Sequence, residues 1–187
     1  MLKELIEKCR TYRRFDESRG ISDSILISFI KNAVITPSGA NLQPLKYKLV
    51  TDGKDREELF GTLKWAGYLT DWQGPADGEK PSAYIIILGD TVISKKFSTD
   101  LGISAYAIVL SAAELGIGSC MIGSVDREHV REYFKITDRY EILLVIALGY
   151  PAEKVVLEKT SGDDIRYYRD DRQVHHVPKR SSEDVII

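Results

Sequence analysis

A basic cluster near the start of the chain offers the groups that hold a phosphate. Arg10, Arg13 and Arg14 fall within five residues, and the hydroxyl of Thr11 stands among them. Guanidinium groups present planar forks of N–H donors that match phosphate oxygens. The cluster therefore indicates an anion site. A solvated positive surface, neutralised by the two acids that follow, is an equally good interpretation of these residues alone.

A second polar segment, TPSGANLQP at residues 36–44, carries three hydrogen-bonding side chains on a short, stiff loop. Ser38, Asn41 and Gln43 supply these groups, while two prolines and a glycine prevent regular structure. Such a loop can bind a planar polar ligand. The same composition is also typical of an ordinary turn between a helix and a strand.

A third segment, GIGSCMIGS at residues 116–124, has glycines that let backbone N–H groups approach a ligand. Its spacing is neither G-x-G-x-x-G nor a phosphate-binding loop ending in Gly-Lys-Ser/Thr, which disfavours the classical NAD and ATP folds. Cys120 has apolar neighbours and no adjacent basic residue, so we predict a buried small hydrophobic residue rather than a nucleophile.

The sequence contains no motif that indicates catalysis by protein side chains alone. The chain has no G-x-S-x-G nucleophile motif and no H-E-x-x-H metal motif. His175 and His176 are adjacent, so in an extended segment they point to opposite sides and make a poor metal site; we predict solvated surface histidines. No metal is expected. A bound cofactor that carries the chemistry would explain these absences.

Composition bounds the class of protein. The chain has 187 residues, of which 43% are hydrophobic, enough for a sizeable core in one domain. A net charge of -2 gives no general attraction to nucleic acid or to anionic membranes. Two distant cysteines suggest a reducing compartment, and no apolar run approaches membrane-spanning length. We therefore expect a cytoplasmic protein without nucleic-acid or membrane partners.

The elements that must position these segments follow from apolar periodicity. Helical spacing and continuous β-branched runs alternate along the chain, which predicts an α+β fold. The predicted helices are 2–10, 22–34, about 55–62, 101–115 and 126–134, and the predicted strands are about 46–51, 83–88 and 142–148. Residues 64–82 are either a mobile flap over a site or a surface loop whose aromatic residues close the core.

Taken in order, these segments resemble the FMN-dependent nitroreductase family. The resemblance runs through RTYRRFD, TPSGANLQP, WAGYLTDWQGP, GEKPSAYIII, GIGSCMIGS and HHVPKRSSED. It implies a central, mainly antiparallel sheet flanked by helices, in a single FMN-binding domain over residues 1–187. It also implies an extended C-terminal arm over about 155–187, and a homodimer with FMN at the interface.

The resemblance assigns roles to residues of this chain. It implies that the FMN phosphate is bound by Arg10, Lys179 and Arg180, and that Thr11 and Arg13 lie near the pyrimidine edge of the flavin. The flavin of one subunit would be reached from the partner by Pro37, Ser38 and Asn41. The isoalloxazine would be lined by Met121, Ile122, Gly123 and Ser124, with the backbone N–H of Gly123 near N5 or O4.

The implied activity is reduction of a small-molecule acceptor by NADH or NADPH. We expect ping-pong turnover, with hydride passing to the flavin and two electrons then reaching a nitroaromatic, a quinone or a similar acceptor. Two departures from the family pattern affect the phosphate site: Cys9 stands where an arginine is usual, and Thr11 replaces a serine. The alternatives are the same fold with dehalogenation, desaturation or flavin breakdown, and a non-enzymatic flavin-binding module.

Overall fold

The computed structural model describes residues 2–160 and 162–187. Within these ranges it contains five α-helices and eight β-strands. The helices are Leu2–Lys8 (α1), Asp23–Val34 (α2), Gly53–Gly61 (α3), Ser98–Glu114 (α4) and Arg127–Tyr133 (α5). The strands are Phe15–Asp16 (β1), Leu45–Val50 (β2), Ala83–Asp90 (β3), Gly118–Ile122 (β4), Tyr140–Pro151 (β5), Val155–Lys159 (β6), Tyr168–Arg169 (β7) and His175–Lys179 (β8).

The central sheet is antiparallel throughout and is built around β5. Strand β5 pairs with β3 along one side, and with β4 and β1 in succession along the other. Strand β2 extends the sheet beyond β3. The predicted α+β class with an antiparallel central sheet is therefore confirmed.

Both faces of the sheet are covered. Every residue of β3 is buried, as its continuous apolar sequence predicts. Ile85 and Ile87 face the cluster that includes residues of α2 and α4, whereas Tyr84 and Ile86 face the cluster that includes residues of α3 and α5. Gly116 has φ +70° two residues after α4, which fits its predicted role in ending that helix.

The structure differs from the sequence-based expectations at two places. Residues Gly118–Ile122 form β4, where no strand was predicted because glycine and serine begin the segment. Helix α3 begins at Gly53, slightly before the predicted start near residue 55. Asp52 caps this helix, since its carboxylate accepts the backbone N–H groups of Lys54 and Asp55.

The C-terminal segment has more structure than an extended arm. Strands β6 and β8 are parallel to each other, and β7 pairs antiparallel with β8 in a separate three-stranded sheet. Formation of a homodimer stays a prediction. Within the described ranges, no helix has the length and apolar character needed to cross a membrane.

The basic segment lies beside strand β4 and is bonded to it. The backbone N–H of Tyr12 donates to the carbonyl of Ser119 at 2.9 Å, and Thr11 forms a parallel bridge with the same residue. A Cβ at Gly118 would lie 2.8 Å from Cδ2 of Tyr12, so the absence of a side chain allows this close approach.

We expect Gly118→Ala to lower the free energy of unfolding by about 1–3 kcal/mol, because the added methyl overpacks the contact with Tyr12. The control is Gly102→Ala in α4, where the added Cβ meets no atom within 4 Å. That change should stabilise the protein by up to about 1 kcal/mol through helix propensity. Urea unfolding measures both, and equal effects of the two substitutions would contradict the packing explanation.

Candidate functional site

A buried carboxylate holds the basic segment in place. The side chain of Glu153 is 1% exposed, and its Oε1 accepts the backbone N–H groups of Arg13 and Arg14. Its Oε2 accepts Nη2 of Arg169 at 2.9 Å. Arg13 itself is 9% exposed, which excludes a solvated surface as the explanation of this arginine.

The guanidinium of Arg13 lies between two C-terminal side chains. Its Nη1 is 3.0 Å from Nε2 of His175, and its Cζ is 4.4 Å from the ring centroid of Tyr167. His175 is fully buried, so the prediction of a solvated histidine was wrong. Burial, and next the charge of Arg13, lower the pKa of His175 to about 4. The imidazole is therefore neutral at pH 7 and accepts the Arg13 hydrogen bond through Nε2.

His176 points to the other side of β8, as its adjacent position predicts. Its ring stacks on Tyr168 at 4.7 Å, Nδ1 lies 3.1 Å from Glu158, and Nε2 lies 3.3 Å from Asp170. Partial burial alone would lower the pKa of His176, but the hydrogen bonds to Glu158 and Asp170 raise it. This histidine is also engaged with protein groups rather than solvated.

The glycine-containing segment lies beside the basic segment at Gly118 and Ser119, and its last residues extend beyond that contact. Met121 is 40% exposed, whereas Ile122 is buried in the core, so Ile122 can offer a ligand only its backbone. Gly123 has no atom within 4 Å of the position that a Cβ would occupy, and its carbonyl accepts Nη2 of Arg127 at 3.1 Å. The carbonyl of Ser124 accepts the backbone N–H of Lys64.

The loop at residues 36–44 is built on Asp100, in the first turn of α4. The hydroxyl of Ser38 donates to one oxygen of this carboxylate, and the backbone N–H of Gly39 donates to the other at 2.9 Å. Asn41 has φ +55° within a short 3₁₀ turn. A cleft of about 240 Å³ opens here and is lined by Pro37, Ser38, Gln43, Lys46, Tyr47, Asp100 and Ser104, among others.

The predicted phosphate residues are not joined within one chain. The guanidinium of Arg10 donates to the carbonyl of Ile6, and its buried Nε has no hydrogen-bond partner. Lys179 ends β8, where its carbonyl accepts the N–H of Thr160, and Arg180 follows. Across residues 2–160 and 162–187, no hydrogen bond or ion pair connects Arg10 with Lys179 or Arg180.

Three residues that organise the site were not predicted from the sequence: Asp100, Glu153 and Arg169. Each is a charged residue of a type common on protein surfaces and belongs to no local motif, and each has a partner far away in the chain. Cys120, by contrast, is buried as predicted, and burial raises the pKa of its thiol to about 11. Among the described residues, no three His, Cys, Asp or Glu side chains are grouped so as to hold a metal.

Comparison with known families decides the assignment. The model of the nitroreductase family matches residues 6–74 and 76–150, which include the basic segment, the 36–44 loop and β4. The chain belongs to the nitroreductase family. Membership in this family makes it an oxidoreductase.

Two curated relatives of this nitroreductase-family chain differ in their names. A protein of Archaeoglobus fulgidus, provisionally named an NADH dehydrogenase/NAD(P)H nitroreductase, is 27% identical over 163 residues, covering 82% of this chain and 88% of the relative. The iodotyrosine deiodinase of Thermotoga neapolitana is 24% identical over 168 residues, covering 81% of this chain and 89% of the relative.

Solved structures share the fold. A nitroreductase family protein of Streptococcus pneumoniae TIGR4 superposes with a TM-score of 0.72 at 20% identity, covering 100% of this chain and 99% of that one. An FMN-dependent nitroreductase of Clostridium difficile R20291 superposes with a TM-score of 0.66 at 24% identity, covering 85% and 91%. The nitroreductase-like fold predicted from the sequence is therefore confirmed.

The buried histidine makes stability depend on pH. Because the folded pKa of His175 is about 4 and its ordinary value is 6.5, the unfolded chain binds more protons between these values. The stability of the native protein should therefore fall as the pH drops from 6.5 towards 4, by at most about 1.4 kcal/mol per pH unit from this group. Urea unfolding at a series of pH values should show a shallower slope in His175→Gln.

His176→Gln is the matched control. The pKa of His176 is raised, so its stabilisation is full below its ordinary value and is lost as the pH rises through the raised value. This substitution should lower stability by a constant amount below pH 6.5, which leaves the slope between pH 4 and 6.5 unchanged, and the loss should shrink as the pH rises through the raised pKa. Parallel pH curves for His175→Gln and the unsubstituted protein would contradict the assignment.

Proposed function

We propose that this chain is an FMN-dependent oxidoreductase that uses NADH or NADPH to reduce nitroaromatics, quinones or similar acceptors. It would act as a cytoplasmic homodimer of single-domain subunits spanning residues 1–187. The observation that carries the proposal is the fixed, buried cation of Arg13 beside β4, within the region that matches the family. A cation held in this way suits a cofactor that gains negative charge on reduction.

The residues of the site fit FMN. The buried Nε of Arg10 lacks a partner, and Thr11 beside it adds a hydroxyl. A Cβ at Gly123 would meet no atom within 4 Å, which leaves room for a planar ring on that side of the backbone. These groups match a flat cofactor with an anionic tail.

In this proposal the chain binds and orients the cofactor. Arg10, Lys179 and Arg180 would bind the phosphate, and Thr11 and Arg13 would hold the pyrimidine edge. The flavin would be contacted from the partner subunit by Pro37, Ser38 and Asn41, and along β4 by Met121, the backbone of Ile122, the N–H of Gly123, and Ser124. FMN, when bound, supplies the capacity to accept a hydride and to pass on two electrons.

The nicotinamide and the electron acceptor would bind in turn at the same open face of the flavin, which would give ping-pong kinetics. NAD(P)H would supply the hydride and leave as NAD(P)⁺. A nitro group would then take up the two electrons together with two protons, becoming a nitroso group and releasing water. The electrons from one nicotinamide therefore balance one two-electron reduction.

A second candidate activity is reductive dehalogenation on the same cofactor. It is favoured by the similarity to the relative named iodotyrosine deiodinase, which covers 81% of this chain. Release of iodide from iodotyrosine, without turnover of nitroaromatics, would establish this alternative.

The first experiment is an anaerobic absorption spectrum of the purified protein, before and after addition of NADH or NADPH. We expect the absorption bands of an oxidised flavin, and we expect these bands to bleach when NADH or NADPH is added. Bands that persist would favour other chemistry on the same fold. Failure to bind added FMN would indicate a non-enzymatic module.

We expect Arg10→Ala to weaken FMN binding about 10- to 100-fold, because a charge-assisted hydrogen bond contributes about 1.5–3 kcal/mol. Lys8→Ala removes a neighbouring, exposed cation from α1 and is the matched control. Fluorescence titration of the apoprotein with FMN measures both affinities. Equal affinities in the two variants would remove Arg10 from the phosphate site.

A further inference from the structure

A cleft with no assigned role lies next to residues 121–124, which we propose to line the flavin. It has a volume of about 390 Å³ and is lined by Leu63, Lys64, Trp65, Ala66, Gly67, Leu69, Thr70, Trp72 and Gln73. Leu63 bridges to Val125, and the N–H of Lys64 donates to Ser124 at 3.0 Å. One end of the cleft is thus joined to the residues that directly follow β4.

The other end of the cleft is joined to the basic segment through one ion pair. The guanidinium of Arg169 lies over the ring of Trp72, with Cζ 4.3 Å from the ring centroid. The same guanidinium binds Glu153 at 2.9 Å, and the two side chains are 8% and 1% exposed. Glu153 also accepts the backbone N–H of Arg13, the residue that we propose to hold the pyrimidine edge of the flavin. Through Arg169, this buried carboxylate therefore connects the wall of the cleft with Arg13.

A second connection runs through stacked rings. Tyr68, between the two tryptophans, packs on Tyr167 with ring centroids 4.9 Å apart, and its backbone N–H donates to the Tyr167 hydroxyl at 3.4 Å. Tyr167 also lies against Arg13. The segment at residues 64–73 is therefore tied to the C-terminal segment at two points, rather than being free over the site.

The lining of the cleft favours planar aromatic compounds that carry an acidic or strongly polar group. Trp65 and Trp72 contribute aromatic rings to the lining of the cleft, and planar aromatic compounds pack favourably against such rings. Lys64 places a cation beside them, and Gln73 adds a donor and an acceptor. A nitrobenzoate combines both features.

We propose that Arg169 is a positioning residue that holds Trp72 as one wall of a binding site for aromatic electron acceptors. The proposal rests on the proposed function, because it places the acceptor beside the flavin segment. Arg169 touches neither acceptor nor cofactor. It acts through Trp72, whose ring it fixes by a cation–π contact shielded from water, and such contacts are strengthened by desolvation.

The test compares two acceptors in the FMN-loaded protein. Trp72→Leu removes the cation–π contact but keeps the Arg169–Glu153 pair, so it leaves no unpaired buried charge. We expect the KM for 4-nitrobenzoate to rise about tenfold, a change of about 1.4 kcal/mol. The KM for ferricyanide, which has no aromatic face, should change less than about twofold. Trp72→Phe, which keeps a ring under Arg169, should restore the KM for 4-nitrobenzoate.

Arg169→Lys tests the positioning residue itself, because lysine keeps the charge but loses the planar group that stacks on Trp72. It should reproduce the effect of Trp72→Leu. The matched control is Arg166→Lys, which makes the same change in an exposed ion pair with Asp164 and should alter neither KM. If Arg169→Lys does not fold, an unchanged KM for 4-nitrobenzoate in Trp72→Leu still overturns the proposal, because it would remove Trp72 from the binding site.

An equilibrium measurement separates this proposal from the proposed function. Dialysis of 4-nitrobenzoate against the oxidised, FMN-loaded protein needs no nicotinamide, and we expect about tenfold weaker binding in Trp72→Leu and Arg169→Lys. Unchanged binding in both variants, or an equal rise of KM for both acceptors, would overturn the positioning role. Failure of NAD(P)H to bleach the flavin would instead overturn the proposed function, whatever the variants do.

Discussion

The buried carboxylate of Glu153 is the interaction on which the arrangement of the site depends. A buried charge is costly unless it is paired and hydrogen-bonded, and here one carboxylate is compensated by two backbone N–H groups of the basic segment and by Arg169. Removing any of these partners leaves an under-compensated charge. Two parts of the chain, around residues 13 and 169, are therefore fixed relative to one another by one side chain, and Arg169 in turn contacts Trp72.

The sheet explains why Glu153 lies where it does. Strand β5 ends at Pro151, where it pairs with Phe15 of β1, and the carboxylate follows two residues later. Strand β4 pairs with the same strand, from Gly118↔Gly149 to Ile122↔Val145. Because β1 and β4 share one partner, the basic segment between α1 and β1 must run beside β4. Strand pairing thus brings the basic segment close to the backbone of the glycine-containing segment, and Glu153 fixes the basic segment there.

Sequence patterns predicted the parts of the fold that depend on local periodicity. The apolar runs of β3 and β5 and the long stripe of α4 were correct because burial on a sheet or helix face leaves a repeat that can be read directly. Strand β4 was not predicted because glycine and serine begin it. Its glycine allows a close contact with Tyr12, which no local sequence pattern indicates. The burial of Glu153 and His175 was not predicted for a similar reason. Their partners are some 140 and 162 positions away, so only the tertiary structure shows that they are buried.

The dependence of the sheet on β5 has a consequence for synthesis of the chain. Strands β1, β3 and β4 all emerge from the ribosome before residues 140–151, with which each of them pairs. Until then the apolar strand β3 has only β2 beside it and presents an unpaired edge, which is the kind of surface that promotes aggregation. Completion of the sheet requires closure of long loops, which slows folding. The nascent chain is thus most exposed to misassociation in the interval between synthesis of β3 and synthesis of β5.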